Sequence, residues 1–147
     1  MLARLQALGR VLARGLLLAR LRALWRVLVR GPLLAQVLAQ VLDAETGVRL
    51  PSVLTEVTFS GTIPHDGKRH RVPTGEARLS VAGTARLRAE SRGYAPLTLS
   101  PFLDNPELVR TVTSFRDEDL CNWQSYEEVK RELEKVELVF RLRKAGP

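Results

Sequence analysis

His65 and His70 are the only histidines in the chain, and Asp66 stands between them in PHDGKRH. A His-Asp-His trio could give a metal ion three ligands. Here Lys68 and Arg69 crowd the same segment, and the spacing matches no zinc pattern. Asp66-Gly67 is better read as a hairpin turn, so no metal site is expected. Nucleophile and phosphate-loop signatures are missing, with no GxSxG, GxGxxG or GxxxxGK[ST] anywhere in the chain. The single cysteine, Cys121, rules out an internal disulfide and a cysteine-built zinc site. Flanked by Leu120 and Asn122, it reads as a buried structural thiol. The acids of RDEDL (116–120) sit ahead of a helix start, where they suit the helix dipole or solvent, and they are too few for a calcium loop. The residue types therefore point away from catalysis: no enzyme, no cofactor and no small-molecule substrate is expected.

Arginine is the more informative residue. LARLQALGRVLARGLL (Leu2 to Leu17) is followed by LARLRALWRVLVRGPL (Leu18 to Leu33), and twelve of the sixteen aligned positions are identical. Up to Leu42 there are seven arginines and no acidic residue, whereas from Asp43 onward sixteen Lys/Arg face sixteen Asp/Glu. The whole excess of +7 thus belongs to an arm attached to a neutral body. Such an arm calls for a partner of negative surface.

As a helix, the first copy gathers Leu5, Leu8, Val11 and Leu12 on one side, with Gln6, Arg10 and Arg14 opposite. The second gathers Leu17, Leu21, Leu24 and Leu28, with Arg22, Arg26 and Arg30 opposite. Sixteen residues turn an ideal helix about 160° beyond whole turns, so the second stripe lies nearly opposite the first. Either the chain breaks near Gly15 into two short amphipathic helices, or one long helix is contacted on both sides. Gly15 and Gly31 each follow an arginine, as at a helix C-terminus, and Pro32 enforces the second stop. The partner-binding residues expected in the arm are those leucines together with Arg10, Arg14, Arg20, Arg22, Trp25, Arg26 and Arg30.

Arginines interrupt the arm too often for a membrane span, and no clean apolar centre marks a secretory signal. An Arg-rich, acid-free arm is compatible with a mitochondrial transit peptide, although such a peptide would carry serine or threonine and the arm has neither. Its leucine content exceeds what a phosphate-binding arm requires, which makes nucleic acid the lesser partner. Two readings remain: a helix docking into grooves of other protein subunits, homo- or hetero-oligomeric, or an interfacial helix on an anionic membrane surface. The Leu/Arg/Ala/Val-rich style suits a thermophile.

Beyond Gly31-Pro32 the pattern becomes extended. AQVLAQVLDAETG (35–47) ends in a turn signal, and SVLTEVTF (52–59) alternates with Val53, Thr55, Val57 and Phe59 on one face. EARLSV turns Ala77, Leu79 and Val81 inward, and TARLRAES does the same with Ala85, Leu87 and Ala89. Ala82-Gly83 makes this pair the best hairpin of the chain. APLTLS (95–100) adds a strand, and KVELVFRLRK alternates through Val136, Leu138, Phe140 and Leu142. Ser125 and Glu128 form a capping box that starts one short helix before that last strand. The expected fold is mainly β, an antiparallel sandwich over 32–147 behind a helical arm over 1–31.

VLDAETGVRLPSVLTEVTF resembles the opening of a carboxypeptidase-regulatory-like (transthyretin-like, prealbumin-like) domain, in which a strand runs into Asp-x-x-Thr-Gly, an apolar-Pro step and a second strand. GEARLSVAGTARLRAESRGYAPLTLS is similar to that family's later half, with its Gly turn and Gly-Tyr-x-Pro step. The resemblance spans about residues 35–100 and the last strand, and it rests most on Asp43, Thr46, Gly47, Gly93, Tyr94 and Pro96. This chain departs from the pattern in a long basic loop, Gly61–Gly75, and a long segment, 101–134. The resemblance implies a non-catalytic stabilising or assembly module of a larger particle, such as a virion, filament or cell-surface assembly.

Overall fold

The computed structural model describes residues 34–82, 85–116 and 123–146. Every partner-binding residue expected in the arm, and Cys121, lies outside the described residues. Two sheets make the body. In one, β1 (Leu34–Asp43) lies between β4 (Glu76–Ala82) and β7 (Val136–Leu142). The other runs β3 (Ile63–Val72), β2 (Ser52–Ser60), β5 (Arg86–Glu90), β6 (Leu97–Leu99). Between β6 and β7 come the helices α1 (Pro106–Ser114) and α2 (Trp123–Leu133).

Alternation sets the core. Ala35, Val37, Ala39 and Val41 of β1 are buried, and so are Val136, Leu138, Phe140 and Leu142 of β7. The second sheet supplies Leu54, Leu87 and Ala89, and the helices supply Leu108, Val112, Val129 and Leu133. Ala77 and Leu79 are half-buried against the same cluster, and Val81 is inside it. Each large apolar side chain buried this way contributes about 1.5–3 kcal/mol of transfer free energy.

Four expectations are corrected. The sheets are not wholly antiparallel: β7 pairs with β1 in parallel, from Val37 opposite Val136 to Asp43 opposite Leu142. A period of two is the same in either direction, so only the crossover through the second sheet and two helices decides this. Nor do β4 and β5 form a hairpin. β4 pairs with β1 and β5 with β2, and the turn closed by Ala85 N–H to the Ala82 carbonyl (3.0 Å) passes the chain between sheets. Their inward residues meet the core from opposite sides, a placement that alternation alone does not distinguish from pairing.

Gly61–Gly75 is no loop, because Ile63–Val72 is a ten-residue edge strand whose one buried residue is Val72. Backbone pairing with β2 holds it, and the hairpin turn is at Gly61-Thr62, with Gly61 at φ +63°. Asp66-Gly67 instead sits at an irregularity, where Gly67 and Lys68 lie across from Glu56. A Cβ on Gly67 would come within 3.3 Å of the Glu56 carbonyl oxygen. Finally, two helices stand where one was expected. Asn105 caps α1 through Leu108 N–H (3.3 Å), with Pro106 opening the helix. Ser125 is buried within α2, two residues past Trp123, so the helix begins before it.

Candidate functional site

Cross-strand partners share a face of a sheet. Val53, Thr55, Val57 and Phe59 therefore bring with them Arg71, Arg69, Asp66 and Pro64 from β3. From β5 they bring Glu90, Arg88 and Arg86. Leu54, opposite Ala89, turns the other way into the core. The outer face of the four-stranded sheet is thus a field of arginines over an apolar row. Thr55 and Val57, flanked across the strands by Arg69 and Arg88 and by Asp66 and Arg86, are only 2% and 4% exposed.

The two carboxylates of this face go to one cation. Arg88 grips Asp66 in a fork, Nη1 to Oδ1 at 3.0 Å and Nη2 to Oδ2 at 2.8 Å, and its Nε donates to Glu90 Oε1. That hydrogen bonding holds Asp66 below the usual carboxylate range and raises Arg88 further. Arg86 lies over the half-exposed Phe59 ring, 4.6 Å from its centroid. Arg69, Arg71 and Arg92 make no salt bridge with an acidic residue among the described residues.

Beside this field a cleft of about 270 Å³ opens between β2, β3 and the β5–β6 connection. Val53 and Pro96 give it apolar surface, and Arg69, Glu90, Arg92 and Tyr94 bring polar groups. Hydrogen bonding fixes the wall carrying Tyr94. Tyr94 Oη donates to Asp43 Oδ2 at 2.6 Å, and Ser91 Oγ donates to the Pro51 carbonyl at 2.7 Å. Gly93, at φ +86°, makes the turn that a side chain would strain. The strand tail after β7 is tied to the same turn, through Ala95 N–H to the Arg143 carbonyl and Ala145 N–H to the Gly93 carbonyl.

Asp43, at the end of β1, is the other half of this clamp. Its Oδ1 accepts the Glu45 and Thr46 N–H groups at 2.8 and 2.9 Å, closing the turn that Gly47 (φ +72°) completes. The Tyr94 hydroxyl first, then the Thr46 and Glu45 N–H groups, lower the Asp43 pKa to about 2. The same bond pushes Tyr94 up. Asp43 with Thr46 and Gly47, and Gly93 with Tyr94, thus meet in space across 51 residues of chain, and they join one sheet to the other.

The histidine trio is not assembled. Asp66 is committed to Arg88 on the outer face, and His70 Nε2 lies 3.1 Å from Glu56 Oε2 in a largely covered pair. Among the described residues no group of three metal-type side chains gathers, and no helix there is long and apolar enough to cross a membrane.

Sequence reasoning passed over Arg69, Arg92 and Tyr94 as members of one cleft. The available signal was the i, i+2 spacing of Arg69 with Arg71 and of Arg86 with Arg88, which puts each pair on one face of a strand. Comparison with protein-family models, with curated proteins and with solved structures returned no match.

Proposed function

We propose that this chain is a non-enzymatic structural and assembly protein. Its β-rich body, of the carboxypeptidase-regulatory-like kind, joins a larger oligomeric particle (a virion, a filament or a cell-surface assembly) through the arm at 1–31. The observation that carries this reading is the segregation of charge. Seven arginines and no acid stand before a body with equal numbers of cations and anions.

Two nearly opposed leucine stripes give such an arm more than one apolar face to bury. Arginine's planar fork suits partner carboxylates at the rim of the contact. The arm also leads into β1, the middle strand of its sheet, so a pull on the arm passes to the centre of the body. The clamp between Asp43 and Tyr94 supports the family reading, because it unites the residues on which the resemblance rests.

Native mass measurement of the full chain tests this. The expected result is an assembly of several subunits that collapses to monomers when residues 1–31 are removed, with the melting temperature of the body little changed. A well-folded monomer at micromolar concentration, unaffected by the same truncation, would overturn the proposal. A second reading, anchorage to anionic lipid, is favoured by arginine being the arm's sole charge type. Flotation with anionic but not neutral vesicles, lost in the Arg20→Ala/Arg22→Ala/Arg26→Ala variant, would select it.

A further inference from the structure

The body is neutral as a whole, yet two of the arginines that make no salt bridge among the described residues, Arg69 and Arg92, border one hollow. We infer that the cleft between Arg69 and Arg92 is a binding site for an oxyanion carried on a ring-sized body: a phosphate or carboxylate on a sugar-like ring. This goes beyond the assembly role, and it concerns the four-stranded sheet, not the arm.

Arg69 and Arg92 both line this space; the carboxylate that Arg69 feels, Asp66, is already held by the Arg88 fork, and a hollow bordered by two cations favours an anion between them. Glu90 also lines the cleft, but Arg88 binds it, as it binds Asp66. The other polar groups of the wall are likewise engaged: Tyr94 Oη donates to Asp43, and Ser91 Oγ donates to Pro51. The donors left for a ligand are those of Arg69 and Arg92, which suit the paired oxygens of a phosphate or carboxylate.

A bare anion would leave Val53 and Pro96 uncovered. The volume of about 270 Å³ has room for a ring to lie on them while its anionic group reaches the arginines. The wall is already fixed by the Asp43–Tyr94 bond and by the turn at Gly93, so little ordering opposes binding.

Titration followed by NMR amide shifts in the full chain, at constant ionic strength, tests the site with four probes. Glucose 6-phosphate and glucuronate carry the ring and the charge, inorganic phosphate the charge alone, and glucose the ring alone. The expected result is saturable shifts at Val53, Arg92 and Tyr94 with the two charged sugars, weaker ones with phosphate and none with glucose. Which charged sugar binds more tightly tells phosphate from carboxylate recognition. Arg69→Gln and Arg92→Gln should each weaken binding about tenfold, as loss of one fork of a paired anion contact does. Arg71→Gln, on the same face but outside the cleft, should leave it unchanged. Both arginines are side chains of the surface, and an unaltered amide spectrum of each free variant checks the fold. Shifts that never saturate, or that survive in the Arg69→Gln/Arg92→Gln double variant, would overturn the inference. So would glucose binding as well as glucose 6-phosphate.

Discussion

The two sheets bury their residues by different means. The three-stranded sheet works by apolar alternation: β7 shows buried and exposed residues in strict turn, and its buried set is wholly hydrocarbon. The four-stranded sheet has a second buried pair on its far side, Thr55 and Val57, among cross-strand arginines and an ion-pair network. The apolar alternation of β7 carries no titratable group in its buried set, whereas the outer layer of the other sheet depends on charge. Both sheets feed the common core, but only the four-stranded one carries a charged network on its outer face.

Three perturbations separate the two arrangements. The largest effect is expected from Phe140→Ala, which empties a fully buried site at the centre of β7. It should cost about 3–5 kcal/mol in denaturant unfolding. Phe59→Ala, at a ring 45% exposed on the outer face, should cost far less. Equal losses would mean that the outer layer is as much a core as the inner one.

Next comes the tie between the sheets. Because Asp43 titrates near 2 when folded and near 3.9 when unfolded, its contribution is complete above about pH 4. It fades as the pH falls from about 4 toward 2. Tyr94, raised when folded, acts in the opposite sense: its contribution is complete below about pH 10 and is lost above its folded pKa. Tyr94→Phe should abolish the alkaline dependence, weaken the acid one, which the Thr46 and Glu45 N–H groups partly sustain, and move the Asp43 titration, followed by carboxyl NMR, upward. An unmoved Asp43 would show that the backbone N–H groups alone depress it.

The smallest effect is expected from Arg88→Ala, since Asp66 is more than half exposed and water screens the fork. The melting temperature should fall slightly, and added salt should shrink the difference from the parent protein. A large, salt-insensitive loss would instead assign the role of Arg88 to covering Thr55 and Val57.

Much of the inner layer was legible in the sequence. Ala77, Leu79 and Val81, then Ala85, Leu87 and Ala89, then Val136 through Leu142 all take the inward positions that alternation assigns them. What alternation could not convey was which strand lies beside which. The parallel pairing of β7 and the passage from β4 to β5 between sheets both follow from where the chain can return, and the period does not encode that.

β3 went unseen for a different reason. Nearly all its residues meet solvent, so no apolar pattern marks it, and backbone pairing with β2, helped by Val72 in the core and the pairs of Asp66 and His70, keeps it extended. Asn105-Pro106 was a readable helix start, with Leu108 and Val112 four apart. The cleft was the least legible part. Its arginines are separated in sequence by more than twenty residues, and only the stacking of β3, β2 and β5 brings them to one place.

The position of β1 has a consequence in time. One of its edges is closed by β4, some forty residues further along, and the other by β7, roughly a hundred residues away. Contacts so distant in sequence are slow to form, because a long closure must be completed before it is rewarded. During synthesis or refolding, the half of the body around β2, β3 and β5 can close on local pairings while β1 still lacks its second neighbour. The strand that receives the arm is therefore among the last to become rigid. Under the assembly role proposed above, an arm that engages a partner would find a firm base only on chains that have finished folding.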